Sequence, residues 1–230
     1  MRRLRAARVP LRFVSNTTKE APAALRARLA ALGVAVPPAE LFSSLSAARA
    51  LVDARALRPM LLLEDAALPA FDGVPAAPPH SAVVLNEAFR VLRAGGELVA
   101  IHKGRYYARP ADIALGPGAF VAALEFAAGV QATVVGKPAP AFFQLALDSL
   151  AAEVPGIAPS EVAVVGDDVR DDVAGAMALG MRGFLVRTGK FAPGDEAGAP
   201  GAGPPSAVFD TFAAAVDAVL AAAAESGAAP

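Results

Sequence analysis

Short apolar runs alternate along this chain with stretches whose apolar residues recur every three or four positions. Leu11 to Val14 reads as a short buried strand that stops at the polar run Ser15-Asn16-Thr17-Thr18. A helix follows, with Leu25, Leu29 and Leu32 on one face and Gly33 as its stop signal. Ser43 to Leu57 predicts a second helix with Leu45, Ala48 and Leu51 facing inward, and Met60 to Leu63 a strand. Pro69 to Pro79 is rich in Pro and Gly and predicts a loop. Beyond it the pattern gives a strand at Ala82 to Leu85, a helix at Glu87 to Arg93, a turn at Ala94-Gly95-Gly96 and a strand at Glu97 to Ile101. A helix over Ala119 to Ala128 is introduced by Gly116-Pro117-Gly118, and Thr133 to Val135 is the next strand. The chain continues as helix (Ala141 to Ala151), strand (Val162 to Val165), helix (Val173 to Leu179, ended by Gly180) and strand (Gly183 to Val186). Gly194 to Pro205 is a low-complexity loop. In the last helix Phe212, Val216, Val219 and Leu220 share a face.

Strands alternating with helices predict an α/β protein, a Rossmann-like parallel sheet with helices on both faces. Ligands of such sheets bind beyond the carboxyl ends of the strands. Three strands here run into polar residues: Val14 into Ser15-Asn16, Val135 into Gly136-Lys137, and Val165 into Gly166-Asp167. Those ends are expected to meet at one site.

Composition narrows the chemistry. At 230 residues the chain suits one large domain or a domain carrying an insert, and 55% hydrophobic with 19% charged residues is a globular composition. A net charge of −1 gives no general pull towards nucleic acid or an anionic membrane. The apolar stretch Phe212 to Ala224 contains Asp217 and is too short for a bilayer. With no cysteine and only His80 and His102, thiolate catalysis, zinc–thiolate sites and multi-histidine metal centres are excluded. A cytoplasmic location is the expectation. The five arginines among the first 12 residues resemble an organelle transit peptide in composition, but a strand with a basic lead-in accounts for them as well.

The run Val164 to Asp172, VVGDDVRDD, places four carboxylates (Asp167, Asp168, Asp171 and Asp172) within six residues after a buried strand and a glycine. Like charges so close raise each other's pKa unless a cation or solvent balances them. A hard divalent cation, Mg2+ above all, is the natural partner. A helix start would explain Asp171 and Asp172 in part, because acids favour a helix N-terminus, but it leaves Asp167 unexplained. Ser15 and Asn16 offer hydroxyl, amide and backbone N–H groups to an anion, or else simply cap the following helix. Lys137, in Gly-Lys-Pro, is placed to neutralise a phosphate as a point charge, although an ordinary surface lysine is the alternative. The loop is no Walker A motif, since the upstream glycine and the Ser/Thr after lysine are missing. Phosphate donors, a lysine and a magnesium carboxylate together describe a phosphoryl-transfer site.

On these residues the chain resembles the haloacid dehalogenase superfamily, in the branch with a C2-type cap. Phe13 to Glu20 (FVSNTTKE) is similar to motif II, Val134 to Phe143 (VVGKPAPAFF) to motif III, and Val164 to Met181 to motif IV with its GDxxxxD spacing. The resemblance implies a HAD-like core at 1–60 and 132–230 and a shortened C2 cap at 61–131. It implies phosphate binding by Ser15, Asn16 and Lys137, Mg2+ on Asp167, support from Asp168 and Asp172, a small phosphorylated substrate, and a homodimer formed through the cap. One departure matters. The family's motif I, DxDGT or a variant, supplies the nucleophile on the first, central strand, whereas residues 1–14 contain neither Asp nor Glu and the first Asp is Asp53. The core is therefore expected to lack its first strand. Either the strands of motifs II and IV close up on each other, or the sequence is N-terminally incomplete. The expected function is a Mg2+-dependent phosphatase that is inactive as written, the alternative being a non-catalytic phosphate- or partner-binding protein.

Overall fold

The structure, a computed structural model, describes residues 1–75, 84–108 and 112–225. In chain order its elements are α1 (Arg2–Ala6), β1 (Phe13–Ser15), α2 (Pro22–Ala31), β2 (Leu41–Ser43), α3 (Ser44–Ala54), α4 (Val84–Arg93), β3 (Val99–Ala100), β4 (Tyr106–Ala108) and β5 (Ile113–Leu115). There follow α5 (Pro117–Ala128), β6 (Thr133–Val134), α6 (Pro140–Glu153), β7 (Ala163–Gly166), a π-helical turn (Val169–Ala174), α7 (Gly175–Met177), β8 (Arg182–Val186), β9 (Ala207–Phe209) and α8 (Phe212–Glu225). The chain divides into two compact units, one made of Met1–Phe13 with Pro138–Pro230 and the other of Val14–Lys137. No described helix is long and apolar enough to cross a membrane.

In the unit Val14–Lys137, Leu45, Ala48 and Val52 of α3 form the i, i+3, i+7 stripe of an amphipathic helix. They bury themselves against Ala67 and Phe71 of a 3-10 segment. A second cluster joins Ala88 and Leu92 of α4 to Leu124 and Ala128 of α5. Strand β3 pairs in parallel with β6, Ala100 opposite Val134, and β4 pairs antiparallel with β5. Gly116 and Gly118 lie so close to the carbonyls of Gly104 and Lys103 that a Cβ at either would collide with backbone. Glu125 accepts from Lys103 Nζ (2.7 Å) and Ala132 N–H (2.9 Å), joining α5 to the segments around β3 and β6.

In the other unit β7, β8 and β9 form a parallel sheet, with Val165 opposite Phe184 and Leu185 opposite Val208. Phe143 and Leu147 of α6 pack with Ala176 and Met181 in one cluster, and Val169, Val173 and Leu185 form another. Arg12, its side chain 10% exposed, donates to Ser149 and pairs with Glu153, binding the start of the chain to α6. The basic lead-in is helical over α1, with Leu4 buried.

The α/β class with parallel pairing is as expected, and several local expectations are corrected. Met60 to Leu63 forms no extended strand: Met60 makes a single β-bridge, Leu61 and Leu63 pack on the α3 cluster, and Leu62 is exposed. Of the strand expected at Ala82 to Leu85, residues 82–83 lie outside the described residues, and Val84 and Leu85 open α4. Leu32 is exposed rather than part of an inward face. Among the described residues β7 pairs with β8, and β1 with β2.

Candidate functional site

Neither Ser15 nor Asn16 caps α2, because that helix begins at Pro22 with Ala21 as its N-cap. Ser15 Oγ instead accepts the Thr17 N–H (3.1 Å), a local turn that ends β1. Asn16 reaches 121 residues along the chain. Its Nδ2 donates to the Lys137 carbonyl (2.9 Å) and its Oδ1 accepts the Lys137 N–H (2.9 Å). A carboxamide is the side chain that can both donate and accept in this way. Lys137 Nζ in turn donates to the Val14 carbonyl (3.3 Å). Gly136 permits this arrangement, since a Cβ there would strike the Ile101 carbonyl, Asn16 Oδ1 and Ser44 Cβ. The structure thus brings together the polar ends of β1 and β6. The asparagine beside Ser15 holds the backbone of Lys137, on the loop after β6, from both sides.

The acidic turn is built within the other unit. A π-turn over Val169–Ala174 leads into α7, the short α-helical part of the helix expected at Val173 to Leu179, and widens the backbone after β7, with Val173 N–H reaching the Asp168 carbonyl five residues back. This brings Asp172, buried at 8% exposure, back over the strand end, where its Oδ2 accepts the Asp168 N–H (3.3 Å). Gly166 makes room, as a Cβ there would overlap the Asp172 carboxylate. Asp168 Oδ1 accepts the N–H groups of Arg170 (3.0 Å) and Asp171 (2.9 Å).

A residue that sequence reasoning missed completes the cluster. Lys190 donates its backbone N–H to Asp167 Oδ2 (2.9 Å) and its ammonium to Asp168 Oδ2 (3.1 Å). Gly189, at φ +57°, leaves space that a side chain would take from the Asp167 carboxylate. Burial works to raise the Asp168 pKa, but the Asp171 N–H, the Lys190 charge and the Arg170 N–H outweigh it and hold the carboxyl below its ordinary value. Burial likewise works to lower the Lys190 pKa. Asp168, with Asp171 and Asp172, outweighs it and holds the ammonium above its ordinary value. The signal was available: parallel β7 and β8 end side by side, Gly166 opposite Leu185, so the polar run Arg187-Thr188-Gly189-Lys190 must lie near Asp167.

These acids present hard oxygen donors. Among the described residues no group of three or more His, Cys, Asp or Glu is disposed around one cation position. Mg2+ does not require one, since it keeps several waters and takes one or two carboxylates together with substrate phosphate. Asp167, cradled by Gly189, fits that demand, while Asp168 is engaged by Lys190 and backbone.

The ordered pieces, a Ser-Asn run after one strand and a GDDxxxD turn after another, are of the haloacid dehalogenase type, and the chain belongs to that family. The family model described as haloacid dehalogenase-like hydrolase matches residues 1–70, and the one described as HAD-hydrolase-like matches residues 134–215. The chain is 47% identical over 231 aligned residues to haloacid dehalogenase-like hydrolase domain-containing protein 2 of Rattus norvegicus, covering 96% of this chain and 86% of that protein. It is 38% identical to phospholysine phosphohistidine inorganic pyrophosphate phosphatase of Danio rerio, covering 96% and 84%. Its fold is like that of p-nitrophenyl phosphatase from Archaeoglobus fulgidus, with a TM-score of 0.78 over 94% of this chain and 89% of the other at 22% identity.

Proposed function

We propose that this chain carries the phosphate-binding and cation-binding parts of a phosphatase, and that the 230 residues as written bind phosphate without turning over a phosphoester. The reading is carried by the two-way hydrogen bonding of Asn16 to Lys137, which fixes a lysine beside the strand end that bears Ser15. In this reading Ser15 and the N–H groups after β1 orient phosphate oxygens, and Lys137 balances their charge. Asp167 would hold Mg2+, kept in place by the Lys190 N–H, while Asp168 stays ionised against the Lys190 ammonium. When bound, the ion would supply Lewis-acid chemistry. The substrate class is a phosphoric monoester, phosphoamide or pyrophosphate, in keeping with the phosphatase relative.

The inactivity rests on a separate observation. Residues 1–14 contain neither Asp nor Glu, so in the sequence as written nothing ahead of Ser15 offers the carboxylate with which this family attacks phosphorus. Loss of a covalent nucleophile removes most of a rate enhancement and leaves what binding and electrostatics supply.

The test is Mg2+-dependent hydrolysis of a generic aryl phosphate by the folded 230-residue chain, beside Asp167→Asn. The expected rate is that of the buffer blank for both, with inorganic phosphate still bound by the unmodified chain. Turnover that disappears in Asp167→Asn would mean that another group attacks phosphorus, and the reading of inactivity would fail.

A further inference from the structure

Three serines stand where β2 passes into α3. Ser43 is the N-cap, its Oγ accepting the Ser46 N–H (3.0 Å), and the Ser43 and Ser46 hydroxyls bond each other (2.8 Å). Capping of α3 is thereby complete. Ser44, between them, is 0% exposed, and among the described residues its Oγ is the one buried side-chain polar atom without a hydrogen-bond partner. A buried hydroxyl left unmade is destabilising, and alanine at the first position of a helix would serve the fold as well or better. The fold of α3 therefore gives no reason for the hydroxyl.

Its surroundings do. Ser44 packs on Gly136: a Cβ built on that glycine would fall 2.8 Å from Ser44 Cβ and 2.5 Å from Asn16 Oδ1. Ser44 thus lines the same small space as the carboxamide that clamps Lys137. Asn16 Oδ1 accepts from the Lys137 N–H, and an amide oxygen has a second lone pair to offer.

We infer that Ser44 is a positioning residue of the anion loop: its hydroxyl donates to Asn16 Oδ1 when phosphate occupies the loop, fixing Asn16 and through it Gly136-Lys137. The idle donor of the free chain is then satisfied in the bound one, so its return comes on binding. This inference rests on the proposed reading of Ser15, Asn16 and Lys137 as a phosphate site.

The experiment measures binding of inorganic phosphate in the presence of Mg2+ by calorimetry, together with thermal unfolding without phosphate. The proteins are the full chain, Ser44→Ala, Asn16→Ala, Ser44→Ala/Asn16→Ala and Lys137→Ala. Ser44→Ala is expected to bind phosphate about tenfold more weakly, the scale of one hydrogen bond, and to melt no lower than the unmodified chain. In the Asn16→Ala background the serine substitution is expected to cause no further loss. Unchanged affinity in Ser44→Ala would overturn the inference while loss of binding in Lys137→Ala left the phosphate site standing. A lowered melting temperature would overturn it too, since the hydroxyl would then have a partner in the free fold. A full chain that binds no phosphate would sink the phosphate reading itself, and the role of Ser44 with it.

Discussion

Asn16→Ala is the sharpest probe of the Lys137 loop, because it removes two long-range hydrogen bonds and little apolar surface. Both bonds measure 2.9 Å, and both partners belong to the Lys137 backbone. A neutral protein hydrogen bond contributes about 1 kcal/mol net, so the pair is worth about 2 kcal/mol. The site is part-buried, so water can reach the freed backbone groups in part, and the larger penalty for a fully desolvated orphan does not apply. For a domain of this size about 2 kcal/mol corresponds to a melting-temperature loss of roughly 4–8 °C. Thr18→Ala is the matched control on the same loop and should change stability by no more than about 0.5 kcal/mol. Amide exchange gives the local readout: the Lys137 N–H should be protected in the unmodified chain and exchange freely in Asn16→Ala. Stability within about 0.5 kcal/mol of the unmodified chain, or a Lys137 amide already unprotected there, would mean that Asn16 does not hold the loop.

Gly189→Ala should destabilise the fold by more than Gly180→Ala, as read by urea midpoints. Both glycines have positive φ, but only the methyl at 189 also enters the Asp167 carboxylate, so Gly180→Ala should lose only the ~1–2 kcal/mol of left-handed backbone strain. Lys190→Met removes the one ammonium bonded to Asp168, and Mg2+ affinity by calorimetry should rise, since like charge no longer opposes the ion. Glu125 lies below the ordinary glutamate pKa, first through the Lys103 hydrogen bond and next through the Ala132 N–H. A depressed carboxylate stabilises the fold above its unfolded pKa and loses that contribution as pH falls through the folded one. The stability gap between the unmodified chain and Glu125→Gln should therefore narrow below about pH 4, and a gap independent of pH would refute the assignment.

The parts of this molecule that were legible in its sequence are those in which a local pattern has a single solution. The helices α3, α5, α6 and α8 carry enough apolar periodicity to be placed within a few residues. Short apolar runs have no single solution. Met60 to Leu63 and Val84-Leu85 suit a strand by composition, yet the first pairs only through a single bridge at Met60 and the second continues into the 3.6-residue period of Ala88 and Leu92. The pair β4–β5 hid in a short, proline-containing stretch in which Ile113 and Leu115 remain exposed, so burial left no alternation to read.

The same distinction divides the candidate site. The acids of the GDDxxxD run were readable because four of them fall within six residues and their mutual repulsion demands an explanation. The Asn16 clamp and the Lys190 counter-charge were not, because each is a pairing across 121 or 22 residues that exists only once strand ends are neighbours. What makes such pairings predictable is register. Once β7 and β8 are taken as parallel neighbours, the residues after Gly166 and after Val186 leave the sheet at one edge, and a lysine there must answer to the aspartates opposite. The orphan hydroxyl of Ser44 lies a step further out. No composition or spacing rule marks it, since its meaning comes from the glycine and the asparagine that fold against it.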